Sequence, residues 1–261
     1  MTERYIIVIC KQEGCSGISY VGEFDTVFSA KAMAEDINAV ARAAARKGVK
    51  TVVYSPREIR WVKASCFYRD YVDQEVVVAN GATINNYLEN CDGVVALGTP
   101  AMAGTENAFS CGTHNHVAIH DYFLAGEKVG EIAIYRTYAA RYNLPLLAVI
   151  GDEAVCAEAK ATDENAFTFV TKTARSRNKA TCKAVEESRK GIEECVFDAL
   201  EKKDTIFIPT ISFPLVAEVS YNRTDFCDDA IVKTFYAIKR TGARSATKTL
   251  NDLKYVYELF I

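Results

Sequence analysis

The chain has 261 residues, of which 49% are apolar and 25% charged, and its formal net charge is −3. These values are typical of a globular protein of one large domain or two small ones. The slightly acidic balance argues against nucleic acid as a partner, because nucleic-acid binding requires a clustered basic surface. No apolar run approaches the ~18 residues of a membrane-spanning helix, which argues against a membrane partner.

Apolar runs typical of buried strands alternate along the chain with the three- and four-residue spacing typical of helices. The predicted strands are Tyr5–Cys10, Lys50–Tyr54, Glu75–Ala79, Gly93–Leu97, Val117–Leu124, Leu146–Ile150, Phe167–Thr171, Ile206–Ile208 and Leu215–Val219. The predicted helices are Thr26–Lys47, Thr83–Asn90, Val129–Tyr142, Asp152–Ala161, Thr181–Lys202 and Thr247–Phe260. This alternation predicts a single α/β domain over residues 1–261, with a mainly parallel central sheet covered by helices.

Cysteine usage and the N-terminus both indicate a reducing compartment. The nine cysteines are odd in number and form no Cys-x-x-Cys pair, so we interpret most of them as small core side chains. The first apolar stretch, Tyr5–Cys10, is too short for a secretory signal and is followed by no small-residue cleavage site. We therefore expect a cytoplasmic protein.

The glycine-rich segment Lys11–Ile18 follows the first predicted strand and is the leading candidate for a functional loop. In open α/β sheets, ligands gather at the carboxyl ends of strands. The segment has neither the spacing of a dinucleotide-binding loop nor the Gly-Lys-Ser/Thr of a phosphate loop, so no nucleotide cofactor is predicted. A carboxylate here, Glu13, is expected to have a cationic partner, and Lys11 is the nearest candidate.

A second candidate loop, Thr99–His114, is long for a compact domain, and such loops are usually functional or mobile. The three histidines of the chain, His114, His116 and His120, lie at its end and just after it. Alternate histidines of a strand could bind a metal, but we favour a polar strand edge as the explanation of His116 and His120. His114, at the junction of loop and strand, is the better functional candidate, and Cys111 with His114 could form a nucleophile–base pair.

Several segments together resemble the zinc-dependent D-aminopeptidases of the DppA type. That family has an Asp-x-Glu-Gly-x-Ser-Gly motif after its first strand, a Val-Gly-Glu helix start, a strand ending in Gly-Asp, and a later Val-Lys…Arg segment. The matching segments here, in the same order, are Lys11–Gly17, Val129–Glu131, Leu144–Asp152 and Thr171–Ser176. The order and spacing hold over roughly residues 4–259, so the resemblance implies a D-aminopeptidase-like fold for nearly the whole chain.

The resemblance also implies a chemistry. In the family, an Asp and a Glu of the first motif, two later histidines and the Glu of Val-Gly-Glu hold two zinc ions, which activate water against the amide of a short D-amino-acid peptide. A further histidine in the second loop supports the reaction. Family members build ring-like homo-oligomers, and a small peptide or amine-like ligand is the implied partner.

This sequence departs from the family at most ligand positions. Lys11 replaces the Asp, Glu58 replaces one His, and Pro100 replaces the other. Glu13 and Glu131 remain, while His114 matches the supporting histidine if one neighbouring residue is deleted; without that gap Thr113 takes its place. We therefore predict no metal and no cofactor, with an ion cluster centred on Lys11 in place of the zinc pair.

The candidate site residues are Lys11, Glu13, Glu58, His114 and Glu131. They fit a diverged hydrolase for a small peptide or amine-containing substrate, with Lys11, Glu58 and His114 as acid–base groups. Two alternatives stay open. One is a non-catalytic paralogue that serves as a binding or assembly subunit, in which Glu131 only stabilises the start of its helix. The other is a metalloenzyme with a rearranged site of Glu13, Glu58, Glu131 and His114.

Overall fold

The computed structural model describes residues 2–56 and 68–254. Its helices are α1 (Val27–Ala45), α2 (Glu131–Arg141), α3 (Glu153–Thr162), α4 (Val185–Glu201) and α5 (Thr224–Lys233). Its strands are β1 (Tyr5–Cys10), β2 (Lys50–Tyr54), β3 (Val77–Val78), β4 (Cys91–Leu97), β5 (Ile119–Leu124), β6 (Glu127–Lys128), β7 (Leu146–Asp152), β8 (Phe167–Ser176), β9 (Lys179–Cys182), β10 (Leu215–Tyr221), β11 (Lys239–Arg240) and β12 (Ser245–Leu250). Residues 84–90 form a 3₁₀ helix.

The described strands form two sheets. The larger has the order β3-β2-β1-β4-β7-β8-β9 and is parallel from β3 to β8, with β9 antiparallel to β8. The smaller has the order β11-β12-β10-β5-β6 and is antiparallel. The predicted α/β class with a mainly parallel central sheet is confirmed, and the smaller sheet is an addition to it.

Strand β1 lies in the middle of the larger sheet and is buried along almost its whole length. Its side chains alternate between two cores, as the period of a strand requires. Ile6 and Val8 pack with α1 and α4 on one face, whereas Ile7 and Ile9 pack with α2, α3 and the smaller sheet on the other. Burial on both faces explains why β1 reads as a continuous apolar run.

Helix α1 begins where the sequence predicts it. The Thr26 hydroxyl accepts a hydrogen bond from the Ser29 amide (3.2 Å), and the Ser29 hydroxyl accepts one from the Thr26 amide (3.1 Å). This reciprocal capping fixes the start of the helix. Gly48 follows its end with a φ of 66°, a conformation that glycine adopts without strain. The helix that covers the amino-terminal half of the sheet is therefore encoded locally.

Three predicted elements are wrong in whole or in part. The segment Lys179–Cys182, where a helix was expected to begin, pairs with β8 as a hairpin strand. Ile206–Ile208 is not a strand. It follows a 3₁₀ turn, and Ile206 is buried whereas the next residue, Phe207, is 57% exposed. The expected helix Thr247–Phe260 is replaced over Ser245–Leu250 by β12, which pairs with β10; its residues 255–260 lie outside the described ranges.

Over the ranges that the structure describes, no helix combines the length and the apolarity required to cross a membrane.

Candidate functional site

Three parallel strands end side by side at the candidate site. The Lys11 amide donates to the Leu97 carbonyl (2.9 Å), the Gly14 amide to the Gly98 carbonyl (2.7 Å), and the Gly98 amide to the Ile150 carbonyl (2.7 Å). The loop after β1 is thereby joined to the end of β4, and β4 to the end of β7. This edge of the sheet is where an α/β fold places its ligand site.

Glycines allow this close approach. A Cβ atom on Gly14 would lie 2.8 Å from the Cα atoms of both Gly98 and Gly151. Gly98 has a φ of 70°, and a Cβ atom there would overlap the Lys11 carbonyl oxygen. Side chains at these positions would push the strand ends apart, so the glycines set the spacing of the site.

Glu131 lies at the centre of the site, as the first residue of α2. Its carboxylate is fully buried and is satisfied by three donors: the Lys11 ammonium, the His114 amide (2.7 Å) and the Tyr135 hydroxyl (2.6 Å). The amino end of a helix also favours a negative charge. Burial with three donors is much more than a helix-start residue at a protein surface requires.

Lys11 forms the buried ion pair with Glu131. Its side chain is 6% exposed and extends from the loop after β1 to Glu131, the first residue of α2. Removing two charges from water is costly, so such a pair is maintained only when both partners are well satisfied. Of the ion cluster predicted around Lys11 with Glu13, Glu58 and Glu131, the structure shows the pair with Glu131.

His114 ends the second loop and brings both its backbone and its ring to the site. It has a φ of 59°, and its amide donates to Glu131. Both ring nitrogens are shielded from solvent, and the ring lies 6.0 Å from that of Tyr122, centroid to centroid. Burial, and secondarily the Lys11 charge, holds the pKa of His114 well below its ordinary value. The imidazole is consequently neutral at physiological pH.

Of the two remaining predicted site residues, the structure describes Glu13. Glu13 lies in the loop after β1 and is buried, with 4% of the residue exposed. Glu58 lies outside the described residues. The structure thus joins Lys11, His114 and Glu131 by direct contacts and places Glu13 in the same loop.

The remaining candidates lie in different surroundings. His116 and His120 are exposed, and the His120 Nδ1 lies 2.8 Å from an Asp121 carboxylate oxygen, as expected of a polar strand edge. Cys111 is buried, and its carbonyl accepts a hydrogen bond from Arg177 (3.3 Å). No group of three or more His, Cys, Asp or Glu side chains in residues 2–56 and 68–254 is arranged to hold a metal ion.

The second loop is fixed to α3 by two carboxylates that sequence reasoning did not assign to the site. The Asp152 carboxylate accepts from the Phe109 amide (2.7 Å), and the Glu158 carboxylate accepts from the Met102 amide (2.7 Å). Asp152 also accepts from the Val155 amide (3.0 Å) and so caps α3. The loop that carries His114 is therefore held in place by these two carboxylates, which accept hydrogen bonds from its backbone amides.

The sequence analysis also did not find Tyr135, nor the contact of Glu158 with Gly130. Tyr135 follows Glu131 by one helical turn, a spacing that places two side chains on the same face, so this contact could have been found from the sequence. Glu158 lies against Gly130, the residue that precedes Glu131, where a Cβ atom would overlap its carboxylate. Nothing in the sequence brings Glu158 to Gly130, because that contact depends on how α3 packs beside α2.

We predict that Glu158 makes the stability of the protein depend on pH. Burial, reinforced by the charges of Glu131 and Asp152, raises the pKa of Glu158 from 4.5 to about 7. The folded state then holds a proton that the unfolded state has lost, so this group lowers stability as pH rises from about 4.5 to about 7. Glu158→Gln cannot ionise, and its amide oxygen can still accept from Met102. We expect it to gain about 1–3 kcal/mol over the wild type at pH 8.

The measurement is urea unfolding of both proteins at pH 5 and pH 8. Asp36, whose pKa burial raises to about 6, and His114, whose pKa is lowered, contribute equally to both proteins and cancel in the difference. Glu153→Gln, on the exposed face of α3, is the matched control: it should lower the free energy of unfolding by a similar small amount at both pH values, because it removes a charge that favours the start of the helix. Equal stability differences at the two pH values would contradict the assignment to Glu158.

Comparisons with known proteins identify the family. A family model described as D-aminopeptidase, peptidase family M55, matches residues 72–261. The D-aminopeptidase of Bacillus subtilis (strain 168) is 27% identical over 115 residues, which cover 44% of this chain and 41% of that protein. The solved structure described as "Zn-dependent D-aminopeptidase DppA from Bacillus subtilis, a self-compartmentalizing protease" matches with a TM-score of 0.83 and 18% identity, over 98% of this chain and 94% of that one. With a family model spanning more than half of its length and a shared fold over nearly all of it, the chain belongs to the D-aminopeptidase family.

Proposed function

We propose that the protein is a D-aminopeptidase-like hydrolase that acts on a small peptide or amine-containing substrate without the two-zinc centre of its family. The observation that carries the proposal is the buried ion pair between Lys11 and Glu131, whose carboxylate also accepts from the backbone amide of His114, a residue with a neutral imidazole. By the family resemblance, Lys11 and Glu131 stand at metal-ligand positions, and His114 stands at that of the supporting histidine if one neighbouring residue is deleted. They provide a fixed positive charge and a proton acceptor in one place.

The residues present do not fit a pair of zinc ions. Each zinc needs several nitrogen, oxygen or sulfur ligands. Lys11 stands at a family ligand position and donates to Glu131, a second one, so an ammonium and a carboxylate satisfy each other where two ligands would face a metal. Pro100 offers no side-chain donor at a third position. Glu13 and Glu131 are the carboxylates retained at the described positions, and Glu131 already accepts from three donors.

The proposed chemistry uses the residues of the chain itself. The Lys11 ammonium stabilises the negative charge that develops on the carbonyl oxygen of the scissile amide. Glu131 pairs with the Lys11 ammonium and orients it. The neutral imidazole of His114 accepts the proton of the attacking water and returns it to the leaving amine. Glu13 and Glu58 are carboxylates suited to the amino group of a substrate, and either would explain a preference for a free amine.

One observation favours the alternative, a non-catalytic paralogue. The Lys11 side chain is 6% exposed and the Glu131 side chain is fully buried. A pair so enclosed and so completely hydrogen-bonded stabilises the joined strand ends whether or not a substrate binds. In this alternative the protein keeps the family fold as a binding or assembly subunit.

A panel of dipeptides, including D-Ala-D-Ala, tests these functions when assayed with and without added zinc. Turnover that is independent of zinc and is lost in His114→Gln is the expected result. Turnover that requires zinc would favour a rearranged metal site of Glu13, Glu58, Glu131 and His114. No turnover of any substrate would favour the non-catalytic alternative. His120→Gln, which changes an exposed histidine, is the matched control and should leave activity unchanged.

We also propose that the protein forms a ring-like homo-oligomer in the cytoplasm and binds neither nucleic acid nor membranes. The similar solved structure is described as self-compartmentalizing, which supports an enclosed assembly of identical subunits. Sedimentation velocity gives the size of the assembly, and a monomer at micromolar concentration would contradict the ring.

A further inference from the structure

Lys172, on β8, is a fully buried lysine that the proposed reaction does not use. It is 1% exposed, and its ammonium donates to the backbone carbonyls of Glu13 (2.8 Å), Cys15 (2.7 Å) and Ile18 (2.7 Å). All three carbonyls belong to the loop after β1. A single side chain from the far part of the sequence thus binds this loop along its length.

The geometry requires the charged form of Lys172. Three acceptors at 2.7–2.8 Å need three N–H donors, which an ammonium has and a neutral amine lacks. The ammonium also lies 5.0 Å from the centre of the Phe109 ring, within the range of a cation–π interaction. Burial opposes the charge and lowers the pKa of Lys172, whereas the nearby carboxylates of Asp36 and Asp152 act in the opposite direction.

Neighbouring groups complete the binding of the same loop. The Thr171 hydroxyl donates to the Gly14 carbonyl (2.6 Å) and lies 3.0 Å from the Gly151 carbonyl oxygen. The buried carboxylate of Asp36, on α1, accepts from the Ser16 amide (2.6 Å). Carbonyls of the loop therefore turn toward β8, and an amide of the loop turns toward α1.

We propose that the three converging carbonyls form a cation cage, and that the Lys172 ammonium in this cage is the positioning residue for Lys11 and Glu13. The cage includes the carbonyl of Glu13 itself, and Lys11 lies two residues before it. Through the loop, Lys172 thus determines where the Lys11 ammonium meets Glu131, although it touches neither. The inference goes beyond the proposed function, because it holds whether or not the protein turns over a substrate.

Chemical rescue tests the cage. Lys172→Ala removes the equivalent of one propylammonium ion, so propylammonium chloride present during refolding should restore the variant. We expect the unfolding equilibrium constant of Lys172→Ala in propylammonium chloride to be about tenfold or more lower than in 1-propanol and sodium chloride at the same concentration. A ligand that binds the folded state has this effect. The wild type should respond equally to both additives. Equal effects of propylammonium and propanol on Lys172→Ala would overturn the cage.

A double-mutant cycle tests the positioning role. Lys11→Met raises the unfolding equilibrium constant by some factor in the wild type. If Lys172 positions Lys11, that factor should be about ten times smaller in a Lys172→Met background. In a Leu250→Ala background, which destabilises the smaller sheet, the effect of Lys11→Met should be unchanged. Additive effects in the Lys172→Met background would overturn the positioning role.

A measurement on the wild type keeps the inference testable if every Lys172 variant fails to fold. The Lys172 side-chain nitrogen should give the NMR signal of an ammonium at pH 7, with scalar couplings across hydrogen bonds to the carbonyl carbons of Glu13, Cys15 and Ile18. A neutral amine at this position would contradict the cage, because it has too few donors.

Discussion

Lys11→Met is expected to destabilise the protein by about 3–5 kcal/mol, the cost of leaving one partner of a buried ion pair without the other. Methionine has a similar length and fits the space, but it leaves the Glu131 carboxylate buried without its cation. The His114 amide and the Tyr135 hydroxyl remain as donors, and neither carries a charge to balance it. Guanidinium unfolding followed by circular dichroism gives the free energy of unfolding.

Two controls separate this effect from a general loss of packing. Adding Glu131→Gln to Lys11→Met removes the unbalanced charge, so the double variant should lose less stability than the sum of the two single variants. Lys183→Met removes an exposed lysine that pairs with Glu187, four residues further along the chain, and it should cost no more than about 0.5 kcal/mol. A Lys11→Met cost as small as that of Lys183→Met would mean that the buried pair contributes little.

Gly98→Ala is expected to prevent folding or to cost more than about 4 kcal/mol, the range in which severe backbone and overpacking effects fall. Gly98 has a φ of 70°, and an added Cβ would overlap the Lys11 carbonyl oxygen and lie 2.8 Å from the Cys15 sulfur. These atoms belong to the backbone and to a buried side chain, so they cannot move aside without separating β1 from β4. The yield of soluble protein and the near-ultraviolet circular dichroism report the outcome.

Gly48→Ala is the matched control for backbone conformation. Gly48 has a similar φ of 66°, but nothing lies within 4 Å of an added Cβ. This variant should therefore carry the cost of the left-handed conformation alone, about 1–2 kcal/mol. Similar losses for the two variants would show that the strand ends are not as closely packed at Gly98 as the structure places them.

The central sheet and the place of the site could be predicted from the sequence, because each depends on local pattern. The bounds of β1 and β2 follow from continuous apolar runs that stop at a polar residue or before a proline. The site follows from the rule that ligands gather where such strands end. Lys11 was selected in this way, since it follows a buried strand. Glu131 became a candidate only through the resemblance to the zinc-dependent D-aminopeptidases, because its place at a helix start is explained equally well by stabilisation of that helix.

Other features depend on contacts between distant parts of the chain. The segment Ser245–Leu250 adopts a strand because β10 offers it a partner, and this pairing overrides the local helical spacing. Lys172 lies in a strand where a charged side chain would ordinarily face solvent, so no pattern marks it as buried. It can be charged there only because three carbonyls of another loop surround it.

Elemental analysis of the protein purified without chelator tests most directly the claim that an ammonium replaces the metal. We predict zinc well below one equivalent per chain in the wild type. The variant that restores the family ligands, Lys11→Asp with Glu58→His and Pro100→His, should bind zinc under the same conditions. Near-stoichiometric zinc in the wild type would contradict the account, because the Lys11 ammonium and a zinc ion cannot both occupy the place beside Glu131.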